Sequence, residues 1–201
     1  MNETPLLIDI LRHGETPLSG RFCGHSDPEL TDLGWEQMRL QTVDGHWNRI
    51  VTSPLRRCAA FAQSLSSSAQ MEPLFQEMYF GAWEGRTAED IWAEDAALLE
   101  AFWRDPDTHP TPGGERWRDF QARVDTGFHA LSPSECENRG PLLLVTHAGV
   151  MRALLISQLG LSFSAAWKVA LPLGAMMRFC LTKDKERGQV HTQLLSLKGP
   201  S

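Results

Sequence analysis

The sequence lacks a hydrophobic run long enough to cross a membrane. Its longest stretch without Lys, Arg, Asp or Glu covers 15 residues, from Ala153 to Trp167, whereas a spanning helix needs about 18 or more apolar residues. The first residues also lack the basic region and the long apolar segment of a secretory signal. We therefore expect a cytoplasmic protein without a membrane anchor.

Cysteine is scarce and scattered along the chain. The four residues, Cys23, Cys58, Cys136 and Cys180, form no CxxC motif, so neither a thiolate zinc site nor a dithiol redox centre is indicated. Without a secretory start, the thiols are expected to be reduced. The cysteines therefore predict no metal or redox cofactor held by thiols.

Positive charge is also in short supply. The chain has 19 Lys and Arg against 25 Asp and Glu, which gives a formal net charge of −6. This balance is unfavourable for contacts along a phosphate backbone, so nucleic acid is not an expected partner. The net charge still permits a local cluster of cations in a pocket for a small molecule.

The patterns that are present favour an α/β fold. Apolar residues make up 42% of the 201 residues, enough for the core of a single domain, which we expect to span residues 1–201. Short apolar runs alternate with amphipathic stretches, which predicts a three-layer sandwich of helices around a mostly parallel sheet, with a small helical cap at about residues 75–114. The predicted strands cover about residues 6–11, 50–52, 73–76, 141–145, 175–182 and 189–197, and the predicted helices about residues 31–43, 55–65, 87–103, 115–131 and 148–159.

Two of the predicted strands end in a histidine that is followed closely by glycine. His13 stands in the segment RHG at residues 12–14, and His147 stands in THAG at residues 146–149. In open α/β sheets ligands bind beyond the carboxyl ends of the strands. If these two strands are parallel neighbours, the two histidines lie side by side at such a site, although a single histidine at a strand end is more often structural.

A third strand end adds positive charge to the same edge of the predicted sheet. The strand at residues 50–52 is followed by SPLRR at residues 53–57, and Arg12 directly precedes the first histidine. Guanidinium groups offer a planar fork of donors that matches phosphate oxygens. The sequence therefore favours a site for an anionic substrate.

Four short blocks of the sequence resemble the signatures of the histidine phosphatase superfamily, also called the phosphoglycerate mutase-like family. They are RHGET at residues 12–16, SPLRR at 53–57, EMYFG at 77–81 and THAG at 146–149. The first block alone would be suggestive, whereas four blocks in this order are specific, and they span most of the chain. The resemblance implies the α/β fold of this family and metal-free phosphoryl transfer on a small-molecule phosphomonoester.

The resemblance also implies a role for each of five residues. His13 is expected to attack phosphorus and form a phosphohistidine, with its other ring nitrogen fixed by a backbone carbonyl. Arg12, Arg57 and His147 are expected to neutralise the phosphoryl oxygens. Glu77 is expected to protonate the leaving alkoxide and then to activate water, which requires burial. An ordinary surface carboxylate is the alternative for Glu77.

Several further residues have weaker signals. The N–H of Gly24 is a candidate phosphate contact, and Glu15 is expected to orient an arginine of the pocket. Glu84 and Glu115 are expected to support the pocket or to touch the substrate, with solvated carboxylates as the alternative. The sequence departs from the family pattern at residues 17–19 (PLS), where many members carry an asparagine.

The tryptophans allow two interpretations. Trp83, Trp92 and Trp103 lie in or near the predicted cap, where aromatic faces can stack on a flat leaving group. Packing in the core is the alternative for each of them. Trp117 and Phe120 fit the apolar stripe of a helix and are predicted to be core residues.

Within the family, the segment after Glu77 and the short chain are similar to the phosphatases rather than to the longer mutases. The nearest resemblance is to alpha-ribazole phosphatases of cobalamin biosynthesis, through residues 23–27 (CGHSD) and 80–85 (FGAWEG). Those segments recur in general small phosphatases, so a sugar phosphate or nucleotide phosphatase and a mutase-like enzyme remain open. A catalytically silent protein that binds a phosphorylated ligand is the alternative of another class. A serine hydrolase is disfavoured, since GHS at residues 24–26 lacks the second glycine and the preceding strand of that motif.

Overall fold

The computed structural model describes residues 5–131, 140–183 and 189–200. Cys136, one of the four scattered cysteines, lies outside this part. The first four residues, which bear on the expected absence of a secretory signal, also lie outside it. The strands are β1 (Leu6–Arg12), β2 (Arg49–Thr52), β3 (Gln70–Met71), β4 (Leu142–Thr146), β5 (Met176–Lys183) and β6 (Val190–Lys198).

The helices alternate with the first four strands and then fill the gap before β5. They are α1 (Asp32–Thr42), α2 (Arg56–Leu65), α3 (Ala88–Arg104), α4 (Trp117–Leu131), α5 (Ala148–Leu159) and α6 (Phe163–Trp167), together with two short 3-10 helices at Pro73–Phe75 and Gly81–Trp83. Among the residues that the structure describes, no helix has the length and apolar character needed to cross a membrane.

The described strands form one sheet in the order β3-β2-β4-β1-β5-β6. The first four strands in this order run parallel to their neighbours, and β5 and β6 continue the sheet with antiparallel pairing. The expected mostly parallel sheet is confirmed. Because β1 and β4 are parallel neighbours with Arg12 opposite Thr146, the residues that follow both strands emerge at the same edge.

Alternation along the central strands divides the core between the two faces of the sheet. Ile8 and Ile10 of β1 pack in the larger core cluster, which includes Phe120 of α4 and much of α5. Leu11 faces the other way and packs with Met38 of α1 and with residues of α2. Successive side chains of a strand point to opposite faces. The apolar run of β1 therefore packs against the helices on both sides of the sheet.

The cap region shares the core of the sheet. Ile91, Leu99 and Phe102 of α3 are buried in the larger core cluster. Thr87 caps this helix with a reciprocal pair of hydrogen bonds to Asp90, as in a capping box. The region at about residues 75–114 therefore packs on the same core as the sheet.

The strand predicted near residues 73–76 is wrong. Residues 73–75 form a 3-10 helix, and the strand of this region is β3 at Gln70–Met71. Pro73 has a fixed φ and no N–H, which suits the first turn of a helix, and the carboxylate of Glu72 accepts from the N–H of Leu74. Helix α6 was not predicted, because five residues are too few to show a helical period.

Candidate active site

His13 is held directly after β1 in an orientation that leaves one ring nitrogen available. Its side chain lines a cavity at this edge of the sheet, although only 8% of the residue is exposed. Nδ1 donates to the carbonyl of Gly14 over 2.8 Å. Since a neutral imidazole carries one N–H, Nε2 keeps its lone pair. The expected contact with a backbone carbonyl is present.

His147 lies behind His13 and is fully buried. The centroids of the two rings are 5.2 Å apart, as the parallel pairing of β1 and β4 leads us to expect. Nε2 of His147 lies 2.8 Å from Oγ of Ser53, at the end of β2, and Sγ of Cys58 lies 3.6 Å from the same nitrogen. Three strand ends and the first turn of α2 thus surround this ring.

Burial keeps both imidazoles neutral. Loss of hydration lowers the pKa of His13 well below its ordinary value, and the positive charges of Arg57 and Arg12 lower it further. The pKa of His147 is lowered in the same way, first by burial and then by Arg57. The resemblance implied that His147 helps to neutralise the phosphoryl oxygens. In the structure its Nε2 is engaged with Ser53, and the positive charge of the site comes from the arginines.

Arg12 lines the cavity beside His13. Its Nη1 donates to the carbonyl of Leu171, whereas its buried Nε has no hydrogen-bond partner in the described residues. Burial lowers the pKa of Arg12 to about 10, with Glu77 acting to raise it and the nearby arginines acting to lower it. The guanidinium is therefore charged at neutral pH, and its Nε–H is available as a hydrogen-bond donor to a ligand.

Arg57 is fully buried and ties the loop at residues 23–26 to α2. Nη1 donates to the carbonyl of Ser26, and Nη2 donates to the carbonyls of Cys23 and Gly24. Its Nε, like that of Arg12, has no partner among the described residues. Arg57 does not line the cavity itself, so the structure places it, with His147, one layer deeper than His13.

Glu77 is a buried carboxyl group on the cavity wall, with 7% of the residue exposed. Oε1 accepts from the N–H of Met78, and Oε2 accepts from the N–H of Gly149 in the first turn of α5. A β-carbon on Gly149 would lie 2.1 Å from Oε1, so only glycine leaves room for the carboxyl group. The surface alternative for Glu77 is thus wrong.

Arg123 of α4 fixes the segment that carries Glu77. Its guanidinium donates to the carbonyls of Leu74, Gln76 and Glu77 and pairs through two nitrogens with the carboxylate of Glu115. Glu115 does not line the cavity. Of its two predicted roles, the structure favours support of the pocket, exerted through Arg123.

Glu84 organises the loop at residues 23–26. Its carboxylate accepts from the N–H groups of Gly24, His25 and Ser26, and from Oγ of Ser26. Burial acts to raise the pKa of Glu84, but these hydrogen bonds outweigh it and hold the pKa below its usual value. The expectation for Gly24 needs correction, because its N–H is engaged by Glu84 instead of facing a phosphate.

The expectation for Glu15 also needs correction. Its carboxylate accepts from Oγ1 of Thr31, the residue that caps α1, and in the described residues it forms no hydrogen bond with an arginine. At the departure from the family pattern, Leu18 and Ser19 line the cavity, and Oγ of Ser19 accepts from the N–H of Thr16.

The cavity encloses about 170 Å³, with a polar base and an aromatic wall. His13, Arg12 and Glu77 form the base. The aromatic wall consists of Phe22, Phe80, Phe102, Trp103, Trp117 and Trp167.

The tryptophans divide between core, cavity and surface. Trp83 is a core residue, Trp92 is half exposed, and Trp103 lines the cavity. Phe120 is fully buried as predicted, but Trp117 is only partly buried and reaches the cavity wall. Trp117 stands at the first position of α4, and its ring contacts Phe163 and Trp167 of α6.

Two residues with chemistry suited to a ligand are among the cavity residues that the sequence reasoning missed. Arg152 lies on α5 and Trp167 on α6, and both line the cavity. A signal for Arg152 was present, because it stands four residues after Ala148 and therefore shares a helix face with the first residue after His147. Trp167 had no such signal, since its position depends on the path of the chain after α5.

Comparison with known proteins finds similar sequences over most of the chain. Residues 8–193 match the Histidine phosphatase superfamily (branch 1). The Adenosylcobalamin/alpha-ribazole phosphatase of Salmonella typhimurium is 31% identical over 175 residues, which cover 82% of this chain and 85% of that protein. The Glucosyl-3-phosphoglycerate phosphatase of Mycolicibacterium vanbaalenii is 31% identical over 169 residues, covering 76% and 73%.

A solved structure extends the likeness to the fold. The Alpha-ribazole Phosphatase from Shigella flexneri superposes with a TM-score of 0.77 at 27% identity, and the match covers 98% of each chain.

Proposed function

The chain belongs to the histidine phosphatase superfamily and is a phosphatase, and we propose that it hydrolyses phosphomonoesters through a phosphohistidine formed at His13. One observation carries this proposal. The unprotonated Nε2 of His13, the charged guanidinium of Arg12 and the carboxyl group of Glu77 line a single cavity. A nucleophile, a cation for the phosphoryl oxygens and a proton donor are the groups that such a transfer needs.

In the first step the lone pair of Nε2 attacks phosphorus, and the bond between phosphorus and the ester oxygen breaks. Glu77 in its protonated form gives its proton to that oxygen, so the alcohol leaves neutral. Arg12, which lines the cavity, donates from its unpartnered Nε to a phosphoryl oxygen, whereas Arg57, one layer deeper, acts on the phosphoryl group through its charge. The two guanidinium charges offset the charge of the transferring group, and the neutral ring of His147 stands against that of His13.

In the second step water attacks the phosphohistidine. The carboxylate of Glu77 takes one proton from the water, the bond between Nε2 and phosphorus breaks, and inorganic phosphate is released. The reaction returns Glu77 to its protonated form and His13 to its neutral form. The hydrogen bonds from Met78 and Gly149 keep the carboxyl group in place for both proton transfers.

We propose alpha-ribazole 5′-phosphate as the substrate. The relative from Salmonella typhimurium and the structure from Shigella flexneri are named for this activity. The aromatic wall includes three tryptophans, Trp103, Trp117 and Trp167. They offer a surface for the flat benzimidazole of that leaving group, because aromatic rings pair favourably in offset or edge-to-face contacts.

The chemical step is tested by trapping the intermediate. Wild-type protein mixed rapidly with substrate and quenched in alkali is expected to carry a phosphoryl group that acid removes. His13→Ala is expected to form none, whereas His129→Ala, a change at an exposed histidine of α4, is expected to label like wild type. Labelling of His13→Ala would overturn the assignment of the nucleophile.

The substrate is tested by comparing kcat/KM for alpha-ribazole 5′-phosphate, glucosyl-3-phosphoglycerate, 3-phosphoglycerate, ribose 5-phosphate and AMP. We expect alpha-ribazole 5′-phosphate to give the highest value by at least about tenfold, which corresponds to roughly 1.4 kcal/mol of differential binding in the transition state. A higher value for any other substrate would replace the proposed one. Formation of 2-phosphoglycerate from 3-phosphoglycerate would instead indicate a mutase.

A further inference from the structure

Arg152 is an arginine of the cavity that has no role in the phosphoryl transfer described above. It lines the cavity together with Arg12. Its buried Nε has no hydrogen-bond partner in the described part of the chain, a feature that it shares with Arg12 and Arg57. A buried donor without a partner is costly, and at Arg12, which also lines the cavity, the cost is explained by the phosphate that it is proposed to bind.

The guanidinium of Arg152 is held in place by an aromatic ring. Its central carbon lies 4.8 Å from the centroid of the Trp167 ring, the geometry of a cation–π contact. Trp167 is in turn fixed by edge contacts with Trp103 and Trp117, each with ring centroids 5.5 Å apart. Nη1 of Arg152 lies 3.4 Å from the carbonyl of Ala148. The guanidinium is therefore ordered before a ligand arrives, so a ligand that meets it loses little conformational entropy.

The positive charge of Arg152 is not needed to balance the charge of the phosphate. A phosphomonoester dianion is matched by the two positive charges of Arg12 and Arg57, and Glu77 carries no charge in the first step. Burial lowers the pKa of Arg152 below its ordinary value because the guanidinium has lost part of its hydration, but an arginine stays positively charged at neutral pH. That charge lies at the aromatic wall, where the leaving group must sit.

We propose that Arg152 is a specificity-determining residue that donates hydrogen bonds to a hydroxyl oxygen in the alcohol portion of the substrate. A hydroxyl group on a sugar ring next to the phosphoester fits this chemistry, with the rest of the leaving group against Trp103 and Trp167. The inference depends on the proposed hydrolysis of phosphomonoesters. It does not depend on which of them is the natural substrate.

Two substrates that differ only in acceptor oxygens test the proposal. Ribose 5-phosphate and tetrahydrofurfuryl phosphate share a five-membered ring and a primary phosphoester, but only the first has ring hydroxyls. In Arg152→Met we expect kcat/KM for ribose 5-phosphate to fall about 10- to 100-fold, the usual effect of removing a hydrogen bond from a charged donor. For tetrahydrofurfuryl phosphate we expect a change of less than about threefold, because no contact is lost.

Controls separate this role from a structural one and from phosphate binding. The inhibition constant of inorganic phosphate is expected to stay within about threefold of wild type in Arg152→Met, since the phosphate site is intact. Arg104→Met, a change at an exposed arginine of α3, is expected to leave both substrates unaffected. Arg152→Lys keeps the positive charge but loses the planar fork. It is expected to fold like wild type and to lose discrimination in the same direction, which decides the question if Arg152→Met does not fold.

An equal loss on both substrates, or no loss on either, would overturn the proposal. A weaker hold on inorganic phosphate would also overturn it, because Arg152 would then be a ligand of the phosphate. Failure of the proposed substrate gives a different result from failure of the proposal for Arg152. If wild-type protein prefers a substrate other than alpha-ribazole 5′-phosphate, the ratio between the two matched phosphates still reports on Arg152.

Discussion

The rings of His13 and His147 lie 5.2 Å apart between centroids, with their planes inclined at 61°. Both side chains are buried, and burial together with the charge of Arg57 holds the pKa of each well below its ordinary value. Two neutral imidazoles therefore stand next to two arginines. The positive charge of the arginines stays available for a phosphate, and the first imidazole stays unprotonated and nucleophilic.

The stability of the protein is expected to fall steeply in mild acid. In the unfolded chain a histidine takes up a proton near pH 6.5, whereas folded His13 and His147 do so only at lower pH. Their stabilising effect is thus complete above pH 6.5 and is lost as the pH falls below it. Each residue is expected to contribute a slope of about 1.4 kcal/mol per pH unit to the free energy of unfolding.

Urea unfolding of wild type and of His13→Gln between pH 6 and pH 5 measures this slope. The variant is expected to lose about 1.4 kcal/mol less over that interval than wild type does. The buffer must be free of phosphate, which would bind the folded protein and stabilise it. His129→Gln, a change at an exposed histidine of α4, is the matched control and is expected to keep the wild-type slope. Equal slopes in wild type and His13→Gln would mean that His13 is protonated in the folded protein.

Glu84→Ala is expected to destabilise the protein and to weaken substrate binding together. The change removes a charged acceptor from the N–H groups of Gly24, His25 and Ser26. Because Arg57 is fixed by carbonyls of the same loop, we expect its Nε to lose its position as well. We expect a loss of about 2–4 kcal/mol in the free energy of unfolding, from several hydrogen bonds to one charged group, and a higher KM.

Urea unfolding and steady-state kinetics measure the two effects of Glu84→Ala. Glu84→Gln, which keeps an acceptor oxygen, is expected to lie between the alanine variant and wild type. Glu100→Ala replaces an exposed glutamate of α3 and is the control for loss of a carboxylate. If stability fell in Glu84→Ala while KM stayed at its wild-type value, the link from this loop to Arg57 would be wrong.

The sequence was sufficient for the parts of the site that depend on strand ends. The apolar runs of β1 and β4 and the motifs after them are local, so the positions of His13 and His147 followed once the strands were taken as parallel neighbours. The residues Gly24, Arg152 and Trp167 were misjudged or missed for a common reason. Each depends on a contact between segments that are distant along the chain, as when the N–H of Gly24 meets a carboxylate 60 residues away.

Gly149→Ala is expected to impair catalysis while leaving the fold intact. The added β-carbon would lie 2.1 Å from Oε1 of Glu77, so the carboxyl group must move away from the N–H that holds it. Alanine is favoured over glycine within a helix by up to about 1 kcal/mol, which offsets part of the cost of this shift. We expect the free energy of unfolding to change by less than about 1 kcal/mol, and kcat for n-propyl phosphate to fall at least about tenfold.

Thermal or urea unfolding of Gly149→Ala, run beside the kinetic measurement, separates the two effects. The rate of phosphorylation by p-nitrophenyl phosphate serves as the internal control, because this leaving group needs no proton. A large loss of stability with an equal loss on both substrates would show that glycine is needed for the fold at this position and not for the placement of Glu77.

Glu77→Gln is expected to have different effects on the two steps of the reaction. The amide cannot protonate a leaving alkoxide, so the first step with n-propyl phosphate is expected to slow by about 10²- to 10⁴-fold. p-Nitrophenolate leaves without a proton, and the first step with p-nitrophenyl phosphate is expected to slow by less than about tenfold. Water must still be activated in the second step, so the variant should release one burst of p-nitrophenolate per site and then turn over slowly. Stopped-flow absorbance measures the burst and the later rate in the same trace. Glu89→Gln, at an exposed glutamate of α3, is expected to behave like wild type. Equal slowing of the burst with p-nitrophenyl phosphate and of the first step with n-propyl phosphate would show that Glu77 does not act as the proton donor.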